Sequence, residues 1–206
     1  MSLKAKATVR CSKCFHSQVQ DIYKSVNSAT DPDLKAAILD GSLFLWECPE
    51  CGTQNLSAWD MLYHDPEGKI MVWLLPSGEP EGPEKDAIMR QARAMGDYKL
   101  RIVANPGDLM EKLMIFDASL DDRAVELVKY VAAREEGMNG VENLHFYRMQ
   151  DDVMVFSGIR EGKMQGFGFG LNVYEDCVGI IARNPEISRE EGFCRVDSDW
   201  VLKILA

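Results

Sequence analysis

The hydrophobic positions of this chain change their spacing along its length, from a helical period to a period of two near the end. The first helical pattern lies between Asp31 and Gly41. Asp31 can accept hydrogen bonds from the free amides of a first turn, and Gly41 can take the left-handed conformation that ends a helix. Pro32 suits the first helical position. The apolar face of this predicted helix consists of Leu34, Ala37 and Ile38.

Further helices are predicted between residues 83 and 137, after a Pro- and Glu-rich linker at 77–83. The first covers residues 83–96, and its apolar face consists of Ile88, Ala92 and Met95. The second follows the capping segment 105–108, and its buried positions are Leu109, Leu113 and Phe116. The third is capped by Ser119 and Asp122 and ends at Gly137. Its buried stripe consists of Ala124, Leu127, Val128 and Val131.

Strands are predicted at both ends of the chain. Residues 43–46 and 70–75 are short apolar runs on either side of a pair of cysteines. From residue 144 onward the period is two, which predicts an antiparallel meander. The positions of this second pattern are Phe146, Val153, Val155, Phe167, Phe169, Leu171 and Val173.

These elements together predict an α+β fold. Its parts are an N-terminal zinc ribbon with an inserted helix, central helices, and a C-terminal antiparallel sheet. We assign residues 7–76 to the ribbon region, 83–137 to the helical region and 141–206 to the β-rich region.

Two cysteine pairs with two-residue spacers predict a metal site. They are Cys11 with Cys14 and Cys48 with Cys51. A tight turn of this spacing directs two thiolates at one point, and two such turns complete a tetrahedral shell. Zinc is the predicted ion, in a structural role, because four sulfurs leave no open position for chemistry. Gly52, just after the second pair, suits a turn that needs positive φ.

Iron and redox chemistry are the rivals of zinc. A four-thiolate tetrahedron also suits a mononuclear iron centre, and the segment 48–52 resembles the turn of rubredoxin. A single Cys-x-x-Cys pair could instead exchange disulfides. His16 lies close to the first pair, but four sulfurs already fill the shell. Cys177 and Cys194 are predicted to be buried apolar residues without a disulfide.

Charge and composition restrict the partners and the compartment. The net charge of −10 opposes nucleic acids and acidic membranes, and it favours a protein partner. The segment before Asp21 is an exception, because it contains four cations and no acid: Lys4, Lys6, Arg10 and Lys13. No apolar run reaches membrane-spanning length and no secretory signal is present, so we expect a cytoplasmic protein.

These residues are where the chain resembles a known family. From about residue 9 to 76, and less distinctly to 131, it is similar to the CpXC proteins of bacteria and archaea. Ser12 stands where that family has proline, and Phe15 where glycine is common. The resemblance implies a zinc-ribbon-like domain of unknown activity. The matching segments are the two cysteine pairs with Asn27, 31–35, Gly41, 48–52, 63–65 and Pro76.

Two other segments are candidate sites. His64 lies between Tyr63 and Asp65, where a carboxylate could orient an imidazole for base catalysis. The following Pro66 and Gly68 favour a plain turn in which Asp65 binds its own backbone. In residues 166–170, glycines alternate with phenylalanines, so a strand would carry a glycine stripe. We interpret this stripe as a place where another part of the chain packs closely.

Three hypotheses of function follow. The first is a non-catalytic zinc-binding module that presents a surface to another protein. The second is an enzyme or small-ligand binder with a cleft between the ribbon and the C-terminal sheet, lined by Tyr63, His64 and the glycine stripe. The third is a nucleic-acid-binding ribbon that uses Arg10 and Lys13. No common hydrolase, nucleotide-binding or metalloprotease motif is present, so whether the chain is an enzyme stays open.

Overall fold

The computed structural model describes residues 1–80, 86–87, 89–90, 94–188 and 192–205. The chain divides into two compact units, Met1–Met110 and Glu111–Ala206, which are treated separately below. The helix predicted over 83–96 falls largely outside the described residues, as does the end of the 77–83 linker. The division into three regions at 7–76, 83–137 and 141–206 stays a prediction.

The first unit is built on a five-stranded mixed sheet and a small separate hairpin. The sheet has the order β1-β2-β5-β6-β7, in which β1 and β2 pair antiparallel, β2 and β5 parallel, β5 and β6 antiparallel, and β6 and β7 parallel. The hairpin joins β3 to β4. The strands are β1 (Leu3–Arg10), β2 (Ser17–Asn27), β3 (Leu45–Glu47), β4 (Gln54–Leu56), β5 (Met61–Asp65), β6 (Ile70–Leu74) and β7 (Lys99–Val103).

The helix predicted between Asp31 and Gly41 is present as α1 (Pro32–Leu39). It buries Ile38, and Gly41 has the expected left-handed conformation with φ of 79°. The predicted cap at Asp31 is wrong. Its carboxylate makes no bond to the first turn of α1 and instead accepts from the amide and hydroxyl of Ser2 and the hydroxyl of Thr30. The partner of Asp31 is therefore 29 residues away in sequence.

Two helices lie at and beyond the division between the units. They are α2 (Pro106–Asp117) and α3 (Asp122–Ala132). The cap predicted from Ser119 and Asp122 is wrong, because Asp121 caps α3 by accepting from the Arg123 amide. The predicted end at Gly137 is also wrong, since α3 ends at Ala132. Val131 of the predicted buried stripe is exposed, while the other three positions are buried.

The antiparallel meander of the second unit is confirmed. It consists of β8 (Val141–Gln150), β9 (Val153–Arg160) and β10 (Lys163–Gly170) in the order β10-β9-β8. Phe146, Met154 and Phe156 are fully buried on one face. The prediction that the strand pattern continues through Leu171 and Val173 is wrong, because these residues lie in the first turn of a helix.

Three helices complete the second unit. They are α4 (Leu171–Arg183), α5 (Pro185–Ser188) and α6 (Ser198–Ile204). The apolar residues of α4 continue at helical spacing to Cys177 and Ile181, which are buried. The first unit thus combines a mixed sheet with a helix, and the second combines a meander with helices. The chain has the mixed α and β content that the sequence predicts.

Candidate metal centre

The two cysteine pairs lie in turns of matching backbone geometry. The first turn joins β1 to β2, and the second joins β3 to β4. In the first, the Cys11 amide donates to the carbonyl of His16 at 2.8 Å, and the Phe15 amide donates to the carbonyl of Cys11 at 3.1 Å. In the second, the Cys48 amide donates to Thr53 at 3.0 Å and the Gly52 amide to Cys48 at 2.9 Å. The same turn is built twice.

A left-handed residue closes each turn. Gly52 has φ of 65°, which confirms the positive φ predicted there. Phe15 holds the equivalent position in the first turn with φ of 61°. A non-glycine residue in this conformation is strained by about 1–2 kcal/mol. The first turn therefore keeps the geometry of the second at a conformational cost.

The two turns bring their four sulfur atoms together. All four Sγ atoms lie within 4.8 Å of one another. The Sγ atoms of Cys11 and Cys51 are 3.6 Å apart, and those of Cys14 and Cys48 are 3.5 Å apart. Tetrahedral bonds of about 2.3 Å to sulfur require S–S separations of about 3.8 Å. These distances fit one tetrahedral ion and are far too long for disulfides, and all four cysteines are free.

The cluster lies half inside a small apolar core. Cys11 and Cys48 are buried and pack with Val9 and Trp46. Cys14 is exposed, and Cys51 is partly buried. Each turn thus contributes one inner and one outer sulfur. A metal here would link two segments whose own apolar contacts are few.

Asn55 on β4 connects the two turns. Its side-chain oxygen accepts from the amide and the hydroxyl of Ser12, both at 2.9 Å. Its amide nitrogen donates to the Thr53 carbonyl at 2.8 Å and lies 3.6 Å from the Cys11 sulfur. Asn55 is buried, so these bonds replace the water that its amide would otherwise need. The sequence analysis missed this residue, and its only signal was a polar side chain in a short strand after the second pair.

The protein environment favours the thiolate form at two of the four sulfurs. The backbone amide of Cys14 is the main cause that lowers the pKa of Cys11 to about 6. The hydroxyl and amide of Thr53 lower the pKa of Cys51. At the exposed Cys14 the amide of His16 lowers the pKa, but partial desolvation by the surrounding residues and the three neighbouring sulfurs together raise it to about 12. A divalent cation would favour the thiolate at all four positions.

The other residues that the sequence singled out near the metal take different places. His16 supplies a backbone carbonyl to the first turn and is not part of the four-sulfur cluster. Neither Cys177 nor Cys194 forms a disulfide, as predicted, and Cys177 is buried on α4 while Cys194 is only partly buried. Burial raises the pKa of the Cys177 thiol.

Residues 63–65 end strand β5, and the predicted turn follows at 65–68. The Asp65 carboxylate accepts from the amides of Glu67 and Gly68 at 3.1 and 3.0 Å, so it binds its own backbone. The imidazole Nε2 of His64 lies 3.2 Å from the hydroxyl of Tyr98. Burial lowers the pKa of His64, which keeps the ring neutral. Tyr63 is almost fully buried, so it does not line an open surface.

The glycine stripe is not closely packed along its length. Gly166 is exposed, and the nearest atom to an added Cβ is the carbonyl of Phe156 at 4.0 Å. The predicted internal packing is therefore wrong at this position. A Cβ on Gly168 would meet the side chain of Val153 on the neighbouring strand at 3.0 Å. Gly158 on β9 is also tight, because a Cβ there would come within 2.8 Å of Val141.

A buried charge network in the second unit also escaped the sequence analysis. Glu111 accepts from Lys129 at 3.1 Å and from the Phe146 amide at 2.6 Å, and its carboxylate lies 3.1 Å from His145 Nδ1. Lys112 pairs with Asp122 at 2.9 Å. Burial alone would raise the pKa of Glu111, but Lys129 and His145 lower it to about 2. The network joins α2 and α3 to β8.

Comparison of the chain with known proteins gives a match to one protein family model. No curated protein and no solved structure matches the chain. Among the described residues, no helix is long and apolar enough to span a membrane. The CpXC protein family model matches residues 9–129, which is more than half of the chain and includes all four cysteines. The chain therefore belongs to the CpXC family.

Proposed function

We propose that Cys11, Cys14, Cys48 and Cys51 hold one structural zinc ion in a ribbon-like site. The observation that carries this proposal is the convergence of four Sγ atoms within 4.8 Å from two turns of the same geometry. Four thiolates fill a tetrahedral shell, so no position is left for a catalytic water. The ion would act on folding rather than on a substrate.

The need for a metal follows from the small size of the elements around it. Strands β3 and β4 have three residues each, and the local core contains Val9 and Trp46 besides the cysteines. Short hairpins of this kind are marginally stable alone. Structural zinc contributes on the order of 10 kcal/mol or more at neutral pH. Zinc binding would therefore supply the stability that apolar burial does not.

Zinc is preferred over iron because one of the four ligands, Cys14, is exposed. Iron accepts the same four-thiolate tetrahedron, so the ligands alone do not separate the two ions. The exposed Cys14 would leave an iron centre open to water and oxidants. Zinc has no redox chemistry and tolerates such exposure.

The chain itself is proposed to act as a non-catalytic interaction module in the cytoplasm. Its metal shell is closed, and the best catalytic candidate, His64, lies against the Tyr98 hydroxyl, while the neighbouring Asp65 binds backbone amides of its own turn. The metal would fix two turns whose outer residues present a surface to a protein partner.

Elemental analysis of the purified protein tests the metal. We expect about one zinc per chain and no stoichiometric iron. Replacing Cys48 with serine should lower zinc content and thermal stability, since one of four thiolates is lost. Cys177→Ser is the matched control, because it removes a buried thiol outside the cluster and should keep full zinc. Stoichiometric iron, or wild-type zinc content in Cys48→Ser, would contradict the proposal.

A further inference from the structure

Positive charge in this acidic chain is concentrated at its start. Residues 1–30 contain five Lys and Arg and a single Asp, so they carry +4, and the remaining residues carry −14. Such an asymmetry indicates a surface for a negatively charged partner. The structure shows how this charge is arranged.

The cations form a row on one face of β1. Lys4, Lys6 and Arg10 occupy alternate positions with Thr8 between them, and all four are exposed. Alternate residues of a strand point to the same face and lie about 7 Å apart, so the row is about 20 Å long. Across the sheet, Val19 on β2 pairs with Thr8 and is 65% exposed. The exposed Val19 therefore lies beside Thr8, the one uncharged residue of the row.

These cations have no acidic partner within the described part of the chain. No ion pair there involves Lys4, Lys6 or Arg10, although Lys6 pairs in register with Asp21. Lys69 and Lys112, by contrast, each bind a carboxylate within 3 Å. The charge of the β1 row is therefore available to a partner.

The row lies on an open edge of the sheet. In the strand order β1-β2-β5-β6-β7, β1 and β7 are the two edge strands. The last four residues of β7 are all buried, whereas β1 buries only Val9. An edge strand presents unpaired backbone donors and acceptors along its length. Strand β1 therefore combines free backbone groups with a regular row of positive charge.

We propose that β1 binds an extended acidic segment of another protein, which adds to the sheet as a sixth strand. The segment would place Asp or Glu side chains opposite Lys4, Lys6 and Arg10, and an uncharged residue opposite Thr8. Main-chain hydrogen bonds give affinity in this mode of recognition, and alternate side chains give specificity. The proposal rests on the interaction role proposed above and names its partner chemistry.

A peptide fits this surface better than a nucleic acid does. Single-stranded nucleic acids need aromatic rings on which bases stack. Each of the two aromatic rings of this region already has a cation near it, since the Lys4 ammonium lies 5.3 Å from the ring centre of Tyr23 and the Arg10 guanidinium 4.9 Å from that of Phe15. A nucleic acid also makes no use of the free backbone edge. The −14 carried by the rest of the chain repels a long polyanion more than a short acidic segment.

Fluorescence anisotropy with the zinc-loaded full chain tests this proposal. The probe is a labelled eight-residue peptide of sequence ETVTETET, which places its acids opposite the row in an antiparallel strand. We expect it to bind, and we expect the glutamine version QTVTQTQT to bind on the order of tenfold more weakly, because three cross-strand charge pairs are lost. Raising the salt from about 0.05 M to about 0.5 M should remove most of this difference.

Backbone pairing is tested with N-methylated peptides. Alternate amides of a strand face opposite sides, so methylating one alternate set should abolish binding and methylating the other should not. In the protein, K4E/K6E should weaken binding about tenfold or more by the same charge argument. The matched control K163E/K203E makes the same change on exposed lysines of the second unit and should bind normally. Both variants should keep full zinc content. A failure of peptide binding can therefore be distinguished from a failure of the zinc proposal, which would appear in the metal content.

Four outcomes would overturn the proposal. One is the absence of binding, or equal binding of the acidic and glutamine peptides. A second is an equal effect of both methylated sets. A third is tighter, Lys4- and Lys6-dependent binding of a twelve-nucleotide oligodeoxythymidine, which would make the face a nucleic-acid surface. The last is a dimer in sedimentation that K4E/K6E dissociates, which would make a second copy of the chain the occupant.

Discussion

Asn55 binds Ser12 across the metal centre, with its side-chain oxygen 2.9 Å from both the amide and the hydroxyl of that residue. The same side chain reaches the Cys11 sulfur at 3.6 Å. The bond holds the first cysteine turn against β4, which follows the second turn. The two hydrogen bonds of Ser12 therefore fix the first turn to its neighbour.

The first prediction concerns this connection. Asn55→Ala should weaken zinc binding by about 10- to 100-fold, because residues that orient metal ligands contribute this much to affinity. Gln54→Ala is the matched control on the same strand, since Gln54 is exposed. Competition with a chromophoric chelator measures both affinities. Equal zinc affinity in the two variants would show that Asn55 does not organise the site.

The two cysteine turns should respond in the same way to glycine and alanine, with glycine the more stable residue at positions 15 and 52. Phe15 and Gly52 share the left-handed conformation, which is strained for any residue except glycine. Gly52→Ala should destabilise the protein by about 1 kcal/mol, because the added Cβ meets nothing closer than 3.8 Å and only the backbone strain changes. Phe15→Gly should be more stable than Phe15→Ala by a similar ~1 kcal/mol.

Denaturant unfolding of the zinc-loaded variants measures these differences. The comparison of Phe15→Gly with Phe15→Ala removes the ring and its contact with Arg10 from both sides, so it isolates the backbone. If Phe15→Ala were as stable as Phe15→Gly, the left-handed conformation at residue 15 would be wrong.

The buried network in the second unit predicts a dependence of stability on acidic pH. The pKa of Glu111 is about 2 in the folded protein, below its ordinary value of 4.5. A carboxyl group with a lowered pKa stabilises the fold above its ordinary pKa, and this contribution is lost as the pH falls from about 4.5 to about 2. Burial raises the pKa of Glu126, so this residue destabilises the fold when it is ionised, and that cost falls as the pH is lowered.

Glu111→Gln separates the contribution of Glu111 from that of Glu126. It should destabilise the second unit by about 3 kcal/mol at neutral pH, because Lys129 and the Phe146 amide lose a buried charged partner. Hydrogen exchange at the Phe146 amide measures the loss, and Glu142→Gln on the exposed side of β8 is the control. Exchange at Phe146 that is the same in Glu111→Gln and in wild type would contradict the role of the network.

The glycines of the meander give a prediction about packing. Gly158→Ala should destabilise the second unit by about 1–3 kcal/mol, because its Cβ would lie within 2.8 Å of Val141 and 3.2 Å of Phe167. Gly166→Ala should be nearly neutral, since nothing lies closer than 4.0 Å. Thermal unfolding compares the two. Equal destabilisation would mean that the stripe at 166–170 is covered by another surface.

The features that the sequence predicted correctly depend on near neighbours. The cysteine spacing and the period of α3 are set by residues within a few positions of one another, so the sequence shows them. In β9 the period of two is present but the predicted face is wrong, because Met154 and Phe156 are buried and Val153 is exposed. Leu171 and Val173 were misassigned because they continue the alternation of β10, although the helical spacing through Cys177 begins there. The predicted boundary between a strand and a helix is wrong where the period of two and the helical period overlap.

The features that escaped prediction depend on distant partners. Strand β7 contains Lys99 and Arg101 among its five residues, so its sequence is not a typical buried strand, and its identity comes from parallel pairing with β6. The Asp31 carboxylate binds Ser2 instead of capping α1, and the Asn55 side chain binds Ser12, which is 43 residues away. No local pattern records such contacts. The metal ligands could be predicted from spacing, but the side chain that connects the two turns could not.

The most direct test of the structural metal is amide hydrogen exchange before and after removal of the ion by a chelator. We predict that protection is lost at the turn amides, including those of Cys11, Phe15, Cys48 and Gly52, while β9 in the second unit stays protected. Protection of the two cysteine turns that is unchanged in the metal-free protein would contradict the account.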